Sequence, residues 1–242
     1  MHEELLPSTE NSLTFLLHVL EKNCSMKVFS NVLSYVFHPL FLPMAVIAIF
    51  FWVPTNPNSL FLGDSMYYFN PEVKKQLALI LGILTCVAPL VSLLIMQRTQ
   101  MVTSLNLDTK EERTYPFVLV IFYFGLAYFF LRFRMDATLQ HDALMSFLWG
   151  IIVTFVVCLI INTQVKISLH AVAIFGVLAA VIAYFQSQSQ APFGIVYIIV
   201  LIGGLVGMAR IYLKAHTLNQ VLLGMLVGFG CIYTIMKLAW WI

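Results

Sequence analysis

The sequence has little charge. Asp, Glu, Lys and Arg make up 10% of its 242 residues, and the formal net charge is only +2. Soluble domains carry roughly a quarter charged residues, so a soluble globular fold is excluded. A nucleic-acid partner, which needs a basic surface, is excluded with it. Cysteine is scarce as well. Cys24, Cys86, Cys158 and Cys231 form no CxxC pair, and the last three sit inside apolar runs. They read as small buried hydrophobes, not as zinc ligands or a disulfide frame. The first twelve residues, with Glu3, Glu4 and Glu10, lack the basic start of a cleavable leader. The alternating strands of about ten residues that mark a membrane β-barrel are missing too.

What is present is apolar. Hydrophobic residues make up 61% of the chain, and the mean hydropathy is +0.92. Long unbroken runs of this kind form helices in a bilayer, because a helix satisfies its own backbone hydrogen bonds. The expected fold is all-α: a polytopic transmembrane helical bundle of about seven spans, at roughly 20 residues per span. The runs cover about residues 28–53 (interrupted by Pro39 and Pro43), 76–96, 116–131, 143–161, 168–185, 194–213 and 218–241. Residues 1–27 read as a polar and amphipathic N-terminal segment suited to the membrane interface. Residues 28–242 read as one helical domain. Gly203 and Gly207, and Gly224 and Gly228, have the spacing that lets two helices pack closely in lipid, although such pairs also arise in any apolar run.

Polar residues collect in three clusters. The first runs from Asn106 and Asp108 through Lys110, Glu111, Glu112 and Arg113 to Pro116; the second is Lys166, Ser168 and His170; the third is Arg210, Lys214, His216, Asn219 and Gln220. They lie between expected spans two and three, four and five, and six and seven. Alternate loops share a face of the membrane, so the three clusters are expected together. Cations at apolar helix ends are costly unless they meet water, a partner or a ligand. The second and third clusters contain no carboxylate. An excess of cations suits an anion, and Arg grips phosphate through paired hydrogen bonds. Ser168 and Thr217 stand near helix starts, where free N–H groups favour phosphate. Two histidines could then divide the chemistry, one attacking phosphorus and the other protonating the leaving oxygen.

These residues resemble the type-2 phosphatidic acid phosphatase family of membrane lipid phosphatases, whose motifs are KxxxxxxRP, PSGH and SRxxxxxHxxxD. Arg113 matches the first motif, Ser168 and His170 the second, and Arg210 and His216, with five residues between them, the third. The chain departs from the pattern at Asn106, at Pro116, at Ile167 and Leu169, at Ala209, and at Gln220, where the family has an aspartate. The resemblance implies a hydrolase acting on a lipid phosphate or diphosphate of polyprenyl or glycerolipid type. His216 would be the nucleophile, passing through a phosphohistidine, and His170 the acid for the leaving group. Arg113, Lys166, Ser168 and Arg210 would hold the phosphate, with Lys110 or Lys166 supplying the missing lysine charge. Gln220 would accept the His216 ring N–H and fix its tautomer without stabilising the imidazolium as a carboxylate does. No cofactor and no metal are implied. The expected location is the bilayer of a bacterial inner membrane, as a multi-pass protein; the oligomeric state stays open, a homo-oligomer included.

Three alternatives accompany that reading. Gln220 and the altered motifs also suit a catalytically weak or inactive homologue that binds or transports a lipid phosphate. Asp108, Glu111 and Glu112 suggest a Mg²⁺-diphosphate site, but that chemistry wants a second aspartate-rich loop. Basic residues at helix ends also serve as anchors and orientation markers. By that rule the motif side, with eight of the thirteen Lys and Arg, faces the cytoplasm. Setting aside Lys110, Arg113, Lys166 and Arg210 leaves four against five, and the rule decides nothing. His38, in His-Pro-Leu-Phe-Leu-Pro, matches no motif and reads as a polar residue at a proline bend; His141 reads as a loop residue.

Overall fold

The computed structural model describes residues 24–58, 65–101, 110–136 and 139–238, with the backbone alone for 110–113. Most of the N-terminal amphipathic segment, residues 1–23, lies outside the described residues. Helix α1 covers residues 24–36, and α2 covers Leu42–Trp52. Helix α3 covers Pro71–Arg98, α4 Lys110–Arg134 and α5 Asp142–Asn162. Helices α6 (Leu169–Phe185), α7 (Gly194–Tyr212) and α8 (Leu218–Leu238) complete the bundle. Short strands β1 (Asn56–Pro57) and β2 (Gln188–Gln190) pair antiparallel at one end.

Five of the helices are long and apolar enough to cross a membrane: α3, α5, α7, α8 and the Thr114–Arg134 part of α4. The protein is therefore all-α, and its apolar exterior suits lipid. Phe122, Ile160, Tyr197, Leu201 and Leu226 all point outward, which on a soluble protein would be an aggregating surface.

The span expected over 28–53, interrupted by Pro39 and Pro43, is divided into two helices. Pro39 and Pro43 have no N–H to continue the ladder, and the chain leaves the helix at a turn of residues 37–41. Among the described residues, neither α1 nor α2 alone approaches the ~20 residues a crossing needs. Two other boundaries move. Helix α4 begins at Lys110 and carries Pro116 inside it, where the third span was expected to start at that proline. Helix α3 runs from Pro71, not 76, and widens to a π turn at Ile83–Val87. There Pro89 cannot donate to Thr85 four residues back, and the wider turn absorbs the loss.

The core centres on α6, where twelve of the seventeen residues are buried. Its most extensive contact is with α8, and it also packs on α7 and α2. Glycine makes the α6–α8 contact possible. A Cβ on Gly224 would stand 2.7 Å from the Ser168 carbonyl oxygen, and one on Gly228 would overlap Val172 O. Gly203 serves the α7 side, where a Cβ would press on the Phe175 ring at 2.9 Å. Both expected glycine pairs thus lie at helix crossings. Helices α6 and α8 run parallel, and both begin at the same face, called here the near face.

Candidate functional site

The near face gathers the starts of α6 and α8, the end of α7 and the turn between α1 and α2. Ser168 is the N-cap of α6, yet its hydroxyl makes no capping bond. Its backbone N–H donates to the Gln220 carbonyl at 3.4 Å, tying the start of α6 to the first turn of α8. The close Gly224 contact permits this approach. The Ser168 Oγ is fully buried and has no hydrogen-bond partner among the described residues.

His170 follows two residues later. Its Nε2 lies 3.1 Å from the Ser34 carbonyl oxygen. A carbonyl only accepts, so this nitrogen carries the ring proton. Ser34 sits in the last turn of α1, where carbonyls lack helical partners. The N–H of His38, which would continue the helix to Ser34 O, bonds instead to Tyr35 O at 3.3 Å, leaving the Ser34 oxygen to His170. Ser34 Oγ donates to Ser30 O at 2.9 Å and accepts from Arg210 Nη1 at 3.5 Å.

Arg210 comes from the last turn of α7. The only ion pair among the described residues is Lys75–Glu72, on the opposite face, so Arg210 has no carboxylate there. Its Nε is buried without a partner among the described residues. The His38 ring packs edge-on against His170, with centroids 5.7 Å apart. His38 lies in the turn, outside the spanning helices. Burial first, and then the Arg210 charge, hold its imidazole below the ordinary histidine value.

The third cluster is shaped by how α7 ends and α8 begins. Lys214 takes a left-handed conformation, φ 54°, and the N–H groups of Ala215 and His216 both return to Arg210 O, at 3.1 and 3.3 Å. Thr217 and Gln220 then form a reciprocal cap for α8. The Gln220 N–H donates to Thr217 Oγ1 at 3.4 Å, and the Thr217 N–H donates to Gln220 Oε1 at 3.3 Å. The second bond fixes which end of the Gln220 amide faces back. The same Oε1 lies 3.1 Å from His216 Nδ1. An oxygen there makes Nδ1 the protonated nitrogen and leaves Nε2 with its lone pair.

The near face therefore brings Arg210, His38 and His216 within electrostatic reach of His170. Gln220 joins them through His216, and Ser168 through its backbone. Lys166 is in the α5–α6 loop, half-buried, without a hydrogen bond or ion pair to another candidate among the described residues. The side chains of Lys110, Glu111, Glu112 and Arg113, like Asn106 and Asp108, lie outside the described residues. So does the Mg²⁺-diphosphate alternative that rests on them. Sequence reasoning missed His38 and Ser34. The signal available was the H-P-x-x-x-P spacing, which marks a break where a buried helix must turn.

A family model, the PAP2 superfamily, matches residues 164–242. The chain thus resembles that superfamily over its C-terminal third, the part holding the second and third clusters; Arg113 and His38 fall outside it. No curated protein and no solved structure gives a significant match.

Proposed function

From a PAP2-like C-terminal third set in a multi-pass membrane bundle, we propose that the protein is a metal-independent phosphatase acting on a lipid phosphate or diphosphate. One observation carries the reading. Arg210, a guanidinium without a carboxylate among the described residues, stands with two histidines, and one of these has its ring oriented by Gln220. His216 Nε2 attacks phosphorus and the bond to the lipid oxygen breaks. His170, charged by a second ring proton taken up with the bound phosphate, gives that oxygen a proton and takes one back from the water that hydrolyses the phosphohistidine. Arg210 and the start of α6 balance the charge growing on the phosphoryl oxygens. Ser34 keeps the His170 Nε2 proton, so the proton transferred is the one carried on Nδ1. Lys166 and Arg113 would extend the cation set. The apolar exterior lets a polyprenyl or glycerolipid tail stay in the bilayer while its headgroup meets the near face.

The test is phosphate release by the detergent-purified protein, in EDTA, from a panel of lipid phosphates and diphosphates. Release by the wild type that His216→Ala abolishes is the expected result. Release that survives in His216→Ala would remove the assigned nucleophile.

Gln220 favours a second reading, a lipid-phosphate binder or transporter of low turnover, because a neutral amide does not stabilise the imidazolium of His216. Under it the wild type binds lipid phosphate but releases none, and Gln220→Asp gains hydrolysis by up to about 10⁴-fold, the worth of a carboxylate behind a catalytic histidine. High wild-type turnover rejects it.

A further inference from the structure

Resting on the phosphate-site reading above, we infer that His38 is a phosphate-binding residue, supplied by the proline-bounded turn between α1 and α2. The turn lies outside the segment that matches the PAP2 superfamily, so the N-terminal part of the chain would complete the site. The argument starts from the tautomer. The Leu40 N–H donates to His38 Nδ1 at 3.3 Å, which puts the ring proton of the neutral imidazole on Nε2. No described residue accepts that proton. Nearby, Arg210 Nε is buried and likewise without an acceptor among the described residues. Two N–H donors, one of them cationic and near enough for its charge to act on the His38 ring, therefore meet no oxygen among the described residues. A tetrahedral phosphate, monoester or terminal diphosphate, carries enough oxygens to accept from both.

The turn is held in place, which is what a preorganised donor requires. Cys86 Sγ donates to Leu40 O at 3.3 Å, and the Phe41 N–H donates to His38 O at 3.0 Å. Ser34, four residues before His38, is bonded to both His170 and Arg210. The His38 ring itself rests against Phe41 and His170, with centroids 6.0 and 5.7 Å away. Pro39 and Pro43 thus do more than end a helix, because the break turns His38 into the bundle.

The test reads binding, so that turnover is not needed. The full-length protein in detergent is titrated with inorganic phosphate, with EDTA present, and compared with three variants. His38→Phe keeps the ring contacts and loses the N–H. His38→Gln keeps an N–H donor. Arg210→Gln reports on the site as a whole. His38→Phe is expected to weaken phosphate binding about tenfold or more, the worth of one hydrogen bond to a charged group. His38→Gln should recover a large part of the loss, and both variants should unfold near the wild-type temperature. Wild-type affinity in His38→Phe, with Arg210→Gln still impaired, overturns the role of His38 and leaves the site standing. Absence of wild-type binding, or an Arg210→Gln that binds as the wild type does, overturns both. Should His38→Phe fail to fold, His38→Gln against His38→Ala decides instead, and equal affinities of those two overturn the inference.

Discussion

At its far end α6 buries Tyr184, whose hydroxyl accepts from the Met66 N–H at 3.1 Å and meets Thr55 Oγ1 at 3.3 Å, while Thr55 and Ser65 share a hydrogen bond of 2.7 Å. The ring packs on Phe50 with centroids 4.4 Å apart. A buried cation on that side, Lys74, is satisfied by the Tyr67 carbonyl and stands over the Tyr67 ring. At the near end of the same helix, Ser168 Oγ and Arg210 Nε are buried without partners among the described residues. The far end also leaves Gln188 Oε1 unpaired among the described residues, but that atom is neutral. The two ends differ in whether charge is accounted for. A closed polar network holds a fold together; a buried cation left open is costly unless a ligand meets it.

The comparison breaks most readily at Arg210. Replacement by Gln is expected to lower kcat/KM for lipid-phosphate hydrolysis by about 10² to 10³, the usual cost of one donor aimed at developing charge. Its unfolding temperature in detergent should stay level or rise, since no ion pair among the described residues is lost. An Arg210→Gln protein that unfolds earlier while hydrolysing normally would show that the near end is structural after all.

Next in size is Gly228→Ala. The added Cβ would overlap Val172 O, which is backbone and cannot swing aside. We expect a loss of about 3 kcal/mol or more, at the upper end of overpacking costs, together with loss of hydrolysis, because the same crossing joins Ser168 to Gln220. Thermal unfolding and phosphate release should fall together; a variant that stayed stable would place the α6–α8 crossing elsewhere. Tyr184→Phe has the opposite profile. It strands the Met66 N–H and should cost roughly 1–3 kcal/mol, while the KM and kcat of the molecules that remain folded are unchanged.

The helical class and the long helices were legible because hydropathy over ~20 residues is a strong signal. The near-face cluster was partly legible: alternate loops share a face, and Ser168, His170, Arg210, His216 and Gln220 follow from that rule. The Gln220–His216 contact follows from the family resemblance, which sets Gln220 where an orienting aspartate stands. Its second duty, capping α8 with Thr217, was not drawn out, although Thr217-x-x-Gln220 has capping-box spacing. The break at residues 37–41 was harder. Two prolines in an apolar run read equally as a kink or as a stop, and only packing against α6 and α3 chooses. With the stop came the placement of Ser34 and His38, which no local pattern specifies.

The smallest expected effect concerns the turn that presents His216. Lys214 holds a left-handed φ of 54°, a conformation that costs a residue with a Cβ about 1 kcal/mol and that glycine adopts freely at helix ends. The sequence reads Lys214 as a membrane anchor, in which case Lys214→Gly should weaken the protein. The backbone argues the reverse. Lys214→Gly relieves the strain, the greater freedom of glycine in the unfolded chain returns part of it, and a net gain of under about 1 kcal/mol is left. Lys214→Val, β-branched at the same position, should lose more than that. Unfolding temperatures of the pair separate the two accounts. Val below wild type and Gly at or above it identifies the turn geometry as the deciding factor, whereas equal losses in both would return the position to the lysine charge. Phosphate release by Lys214→Gly should match the wild type, since the N–H groups of Ala215 and His216 still close on Arg210 O.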